Sequence, residues 1–188
     1  METILAPLPL GTSDFSALRK SGQIYVDKTR LIYTLASKRQ KFFLSRPRRF
    51  GKSLLLSTFE SLFKYGLRDF HGLEIESLWK DENTYQVIRL DFSNLKDFSS
   101  VEEFSELLDQ YLLDTLTVNR LVSPIKTDKE GLRAFIGWLA LQADNSVVLL
   151  LDEYDTPLTS CLNNQSCSMK SERNSGGSTL VLNNGMEQ

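Results

Sequence analysis

Ser45-Arg46-Pro47-Arg48-Arg49-Phe50-Gly51-Lys52-Ser53-Leu54-Leu55 is the stretch whose reading decides the fold. Before it, Lys41-Phe42-Phe43-Leu44 is a short apolar run that reads as a buried strand. After it, Leu54, Leu55, Phe59, Leu62 and Phe63 recur at helical spacing from Ser53 to Tyr65, and Gly66 is a stop signal. A strand, a Gly-Lys-Ser turn and a helix form the setting of a phosphate-binding loop. Amides from about Arg48 to Ser53 would face anionic oxygens, and the helix N-terminus adds partial positive charge. Lys52 would reach the β- and γ-phosphates, and the Ser53 hydroxyl would ligate Mg²⁺. Arg46 stands where the usual loop has its first glycine. The plain alternative is an ordinary helix start beside solvated arginines.

A second stretch, Val147-Val148-Leu149-Leu150-Leu151-Asp152-Glu153, lies 100 residues beyond Lys52 when counted to Asp152. An apolar strand ending in two acids suits a metal-and-water site: Asp152 would hold Mg²⁺, and Glu153 would orient the attacking water. A strand apolar on both faces belongs in a parallel sheet covered on both sides. Ligands bind outside the carboxyl ends of such strands, where Lys52 and Asp152 would meet. Without the first loop, the same acids would read as a solvated strand end.

The remaining pattern is α/β. Asp14 caps a short helix from Phe15, Thr29 to Ala36 forms a second, and Gln86 to Phe92 is a strand. Ser99 or Ser100 opens a helix with Phe104, Leu107, Leu108, Tyr111 and Leu112 as its stripe. Thr127 or Asp128 opens another that buries Leu132, Phe135, Ile136 and Leu139. Residues 1–37 read as an N-terminal extension, 38–162 as the loop-bearing domain, and 163–188, rich in Ser, Asn and Gly, as a disordered tail in which Thr179 to Leu182 is the one strand-like run.

At these residues the sequence resembles the predicted AAA-ATPase-like family of P-loop proteins, many of which carry a C-terminal nuclease-like domain. The likeness rests on the Ser45–Leu55 loop, in which the family also has Arg for the first Gly. It extends to Phe15 with Leu18-Arg19, Tyr25-Val26-Asp27-Lys28-Thr29, Phe70 with Gly72-Leu73, Asp91-Phe92-Ser93, and Leu151-Asp152-Glu153-Tyr154-Asp155 with Pro157-Leu158. It spans about residues 8 to 160. The resemblance implies a P-loop NTPase fold, a parallel sheet flanked by helices, with ATP and Mg²⁺ as cofactors and Mg-dependent hydrolysis in the intact family. Lys52 and Glu153 would be catalytic. Arg48, Arg49, Phe50, Gly51, Lys52, Ser53 and Leu54 would bind nucleotide, and Ser53 and Asp152 the metal. Asp27 and Lys28 would either approach the nucleotide or form a structural turn. The resemblance also implies a later core strand with a polar sensor, which is not recognisable here, so the sheet is expected to be incomplete. The rival expectation is an inactive truncated remnant that acts at most as a nucleotide-binding or interaction module. An arginine finger is unassigned. Arg120 and Arg133 are candidates, and a finger from a neighbouring subunit would make the protein a homo-oligomer.

Composition narrows the alternatives. The chain has 188 residues, with 22 Lys plus Arg against 24 Asp plus Glu, so no global charge draws it to nucleic acid or membrane. Lys38, Arg39, Lys41, Arg46, Arg48, Arg49 and Lys52 form a local basic cluster that nucleic-acid phosphates could meet, although ATP explains its loop members better. One histidine, His71, and two cysteines, Cys161 and Cys167, cannot build a four-ligand zinc site. No basic leader or long apolar span appears, and a reduced, cytoplasmic setting is the expectation.

Overall fold

The computed structural model describes residues 6–45, 50–121, 131–144 and 146–163. Its elements fall into two units, residues 1–91 with 139–152, and residues 92–138 with 153–188.

The first unit is built around helix α3 (Lys52–Tyr65). Helix α1 (Phe15–Lys20) begins where the Asp14 carboxylate accepts the Ala17 amide at 2.8 Å. The Phe15 amide then donates to Ser57 Oγ at 2.9 Å, fastening α1 to α3. Helix α2 (Thr29–Ala36) follows the predicted bounds and turns Ile32 and Ala36 inward. These residues join Phe15, Leu62, Phe70, Leu73, Ile75 and Trp79 in one apolar core, the last two at or beside the short helix α4 (Ile75–Leu78). Phe15 lies edge-on to Tyr25 at 5.1 Å and tilted on Phe70 at 4.7 Å, arrangements that add to simple area burial.

A buried carboxylate locks this core. Asp69 ends a 3-10 turn over Gly66–Asp69. It accepts hydrogen bonds from Ser16, from Ser61 at 2.7 Å, and from Arg68 through Nε at 2.9 Å and Nη2 at 2.7 Å. Arg19 donates to the Asp69 carbonyl at 3.1 Å. α1, α3 and the turn therefore share one charged node, and every oxygen of that node is satisfied.

Strand β1 (Gln86–Asp91) pairs in parallel with β2 (Val147–Asp152), in register from Gln86 opposite Val147 to Asp91 opposite Asp152. α3 packs on both strands. The α/β class and the parallel pairing are as the sequence predicts. Cover on both faces is not: Leu149 and Leu151 are 40% and 43% exposed, although their partners Ile88 and Leu90 are buried. The described residues form a ladder of only two strands, too narrow to enclose both faces of β2. Nor is Lys41–Leu44 a strand; Phe42 and Phe43 are 50% and 73% exposed. A strand exists through its ladder, and this run joins neither β1 nor β2.

In the second unit, helix α5 (Val101–Val118) opens with a reciprocal cap. Ser100 Oγ accepts the Glu103 amide at 3.1 Å, and Glu103 accepts from Ser99 N and Oγ at 2.7 Å each. Helix α6 (Gly131–Ala140) buries Gly131, Ala134, Phe135 and Trp138, whereas Leu132 and Ile136 of the expected stripe are exposed. The reason is a close approach: a Cβ on Gly131 would stand 1.9 Å from the Asp109 carbonyl oxygen. The Leu132 amide donates to the Asp109 carboxylate at 2.9 Å, so the helix is seated by its glycine edge rather than by its leucines. Helix α7 (Thr156–Asn163) packs on the 3-10 turn Phe92–Asn94. The expected caps Thr127 and Asp128, and the run Thr179–Leu182, lie outside the described residues.

Hydrogen bonds from Arg68, then Ser16 and Ser61, outweigh burial and hold the Asp69 carboxyl well below the usual carboxylate range. A carboxyl depressed on folding contributes its full stability above the unfolded value of about 3.9 and loses it as pH falls towards the folded one. Asp69→Asn should therefore lower unfolding free energy at pH 7 by about 2–4 kcal/mol and flatten its decline below pH 5, as read by urea titration at several pH values.

Candidate functional site

The candidate residues lie at the start of α3 and at the carboxyl ends of the two strands on which α3 packs. Gly51 takes φ 75° and ψ 23°, a left-handed conformation that costs glycine little, and its carbonyl accepts the Leu55 amide at 2.9 Å. Among the described residues no side chain caps α3. Its first-turn amides lack intrahelical acceptors and carry the positive end of the helix dipole. Lys52 and Ser53 are half-buried at this end, whereas Phe50 and Gly51 are exposed. The Leu54 side chain turns instead to the apolar core. Arg48 and Arg49 lie outside the described residues.

The strand side is more charged than the sequence reading anticipated. Parallel register sets Asp91 beside Asp152 at the carboxyl ends of both strands. Asp152 is only 4% exposed, and Arg89 Nη2 donates to its Oδ2 at 3.1 Å. Arg89 also stands 3.7 Å from Glu60 on α3. Glu60, Arg89 and Asp91 were not among the expected site residues. A signal for two of them was present: Arg89 and Asp91 alternate with apolar residues in the strand, so both fall on one face. Locating that face beneath α3 needed the tertiary packing.

Glu153 follows β2 in the left-handed region, φ 49°, and its carbonyl accepts the Thr156 amide at 2.9 Å. Such a backbone is uncommon for a residue other than glycine and marks a sharp exit from the strand.

A family model described as a predicted AAA-ATPase matches residues 9–176. The chain belongs to the predicted AAA-ATPase family. The match runs past residue 160, where the resemblance carried by the sequence motifs ends. Among curated proteins, an uncharacterized protein in the vnfD 5' region of Azotobacter chroococcum mcd 1 is 35% identical over 156 residues. That alignment covers 80% of this chain and 29% of the relative, so the chain spans less than a third of that protein's length. No solved structure matches.

Within this AAA-ATPase-like chain, the Tyr25–Thr29 motif serves the fold. Asp27 Oδ1 accepts Thr29 N at 2.8 Å and Thr29 Oγ1 at 2.7 Å, and its other oxygen accepts the Glu74 amide at 2.8 Å. Thr29 Oγ1 in turn accepts the Ile75 amide at 3.0 Å, so the pair ties the start of α2 to the start of α4. Burial pushes the Asp27 carboxyl up, but the bonds from Thr29 and Glu74 together hold it below its ordinary value. Lys28 is exposed. Of the other candidates, Arg39 bonds Asp81 at 3.1 Å and Tyr85 at 3.3 Å. Arg120 takes φ 55° where α5 ends, and the Leu121 amide donates to Leu116 O at 2.8 Å, a helix-terminating arrangement. His71 is exposed beside Glu76 at 3.1 Å. Among the described residues no helix is long and apolar enough to cross a membrane.

Because Asp27 works through α2 and α4, Asp27→Ala should cost about 2–3 kcal/mol in urea unfolding.

Proposed function

We propose that this protein binds ATP with Mg²⁺ where α3 begins and β2 ends, and that it hydrolyses the γ-phosphate. One observation carries the reading. A helix N-terminus that no described side chain caps, entered through a left-handed glycine and followed by Lys-Ser, belongs to a helix packed on the strand that ends in a buried aspartate. Backbone amides and a dipole suit phosphate oxygens, and Lys52 supplies a compact positive charge for them. In this reading Arg48, Arg49, Phe50, Gly51 and Leu54 complete the loop around the phosphates.

The donor set also suits the metal. Among the described residues no three His, Cys, Asp or Glu side chains gather into a cation cage. Mg²⁺ in nucleotide sites needs none: one or two protein oxygens, the substrate phosphates and water complete its shell. Ser53 and Asp152 are the two oxygens in this reading. When bound, Mg²⁺ would neutralise charge developing on the phosphate oxygens. Glu153 would hold the attacking water and accept its proton.

Calorimetry and a phosphate-release assay on the purified chain test this. Wild type should bind Mg·ATP, and Lys52→Ala should weaken binding at least about tenfold. Glu153→Gln should retain binding and lose about 100-fold or more in turnover. Absence of binding at millimolar Mg·ATP overturns the proposal. Binding without turnover in wild type would restrict it to a nucleotide-binding module.

A further inference from the structure

Arg89 is placed between two carboxylates on different elements. Its Nη2 is 3.1 Å from Asp152 Oδ2, and its Nη1 is 3.7 Å from Glu60 Oε2. The first distance is a charge-assisted hydrogen bond; the second is a loose ion pair. Burial differs in the same sense: the Asp152 side chain is 4% exposed, against 29% for Arg89 and 30% for Glu60. A nearly inaccessible carboxylate needs a positive partner, and β1 supplies one from the face that α3 covers.

That arrangement conflicts with the use of the same carboxylate by a divalent cation. A cation approaching Asp152 meets an oxygen already bonded to a guanidinium, and the two positive charges repel. Glu60 resolves the conflict, because it lies within reach of the other arm of the same guanidinium.

We propose that Arg89 is a positioning residue that is handed between two carboxylates. It holds Asp152 when no cation is bound, and it closes onto Glu60 when a divalent cation takes Asp152. Glu60 thereby sets how readily Asp152 is released to the metal. This rests on the reading of Asp152 as the Mg²⁺ ligand, and no covalent step is involved. Simple charge addition would make Glu60 attract the cation directly; the handover makes Glu60 act only through Arg89.

The readout is the ratio of ATP dissociation constants measured with chelator and with saturating Mg²⁺, on the full chain by calorimetry. It requires no turnover. Arg89→Met should raise this Mg²⁺ enhancement about fivefold, and Glu60→Gln should lower it about threefold, the scale of partly exposed ion pairs. In the Arg89→Met background, Glu60→Gln should have no further effect, because its route is gone. A penalty that persists undiminished in the double variant overturns the handover in favour of direct charge. So does a fall in enhancement with Arg89→Met while the thermal midpoint is kept. Glu60→Gln removes a partly exposed group and keeps the proposal open to refutation if Arg89→Met does not fold: no loss of enhancement overturns it. Asp152→Asn separates the two levels. If it leaves the Mg²⁺ enhancement intact, Asp152 is not the metal ligand and both readings fall. If it abolishes the enhancement while the other variants behave otherwise than stated, only the role of Arg89 falls.

Discussion

In the ladder between β1 and β2 every residue has a partner fixed by backbone hydrogen bonds, and Asp91 is matched to Asp152. Side chains alternate faces along a strand, so a slip by one residue would turn Asp152 away from α3 and from Arg89. The arrangement at the strand ends depends on that register. It has an electrostatic cost, since two carboxylates on neighbouring strands repel. The guanidinium of Arg89, two residues before Asp91 on the same face, offsets it. The strand pair is thus more than a platform for the loop, because its own sequence supplies the countercharge for the acid at its end.

A second charged node holds the other side of α3. Asp69 gathers Ser16, Ser61 and Arg68, while Phe15, Leu62 and Phe70 pack in the apolar core of the same unit. Apolar packing brings α1 and α3 together but does not fix how one slides on the other. A buried carboxylate with four directional donors does, since any slide would leave an oxygen unsatisfied. Residues before position 38, read from sequence as an extension, supply Phe15, Ile32 and Ala36 to the core against which α3 packs.

Much of this was legible in sequence because it is local. The Asp14 cap, the bounds of α2, the Gly66 stop and the Ser100 cap each depend on residues within one turn of each other. The parallel pairing was legible from the unbroken apolar run before Asp152. What escaped was set by distant partners. Lys41–Leu44 has strand composition, but pairing depends on a neighbour that composition does not specify. α6 has leucines at helical spacing, but the approach of Gly131 to the Asp109 backbone rotates the helix away from them. Asp27 shows the same limit: its spacing to Thr29 was visible, whereas the amides of Glu74 and Ile75 that give the pair its structural task lie some 45 residues on. The role of Arg89 is not legible in sequence, because an arginine in a strand says nothing of Glu60 on a helix.

The left-handed backbone at Glu153 has a consequence for how this position can vary. Holding φ at 49° costs a side-chain-bearing residue roughly 1 kcal/mol or more, and glycine would relieve that strain. Glycine would also delete the carboxylate that the proposed chemistry needs. Stability and the proposed chemistry therefore pull in opposite directions at a single residue. A screen for thermal tolerance alone would drift towards the smaller residue here, and the gain in melting temperature would measure what the chain gives up to keep an acid on that corner.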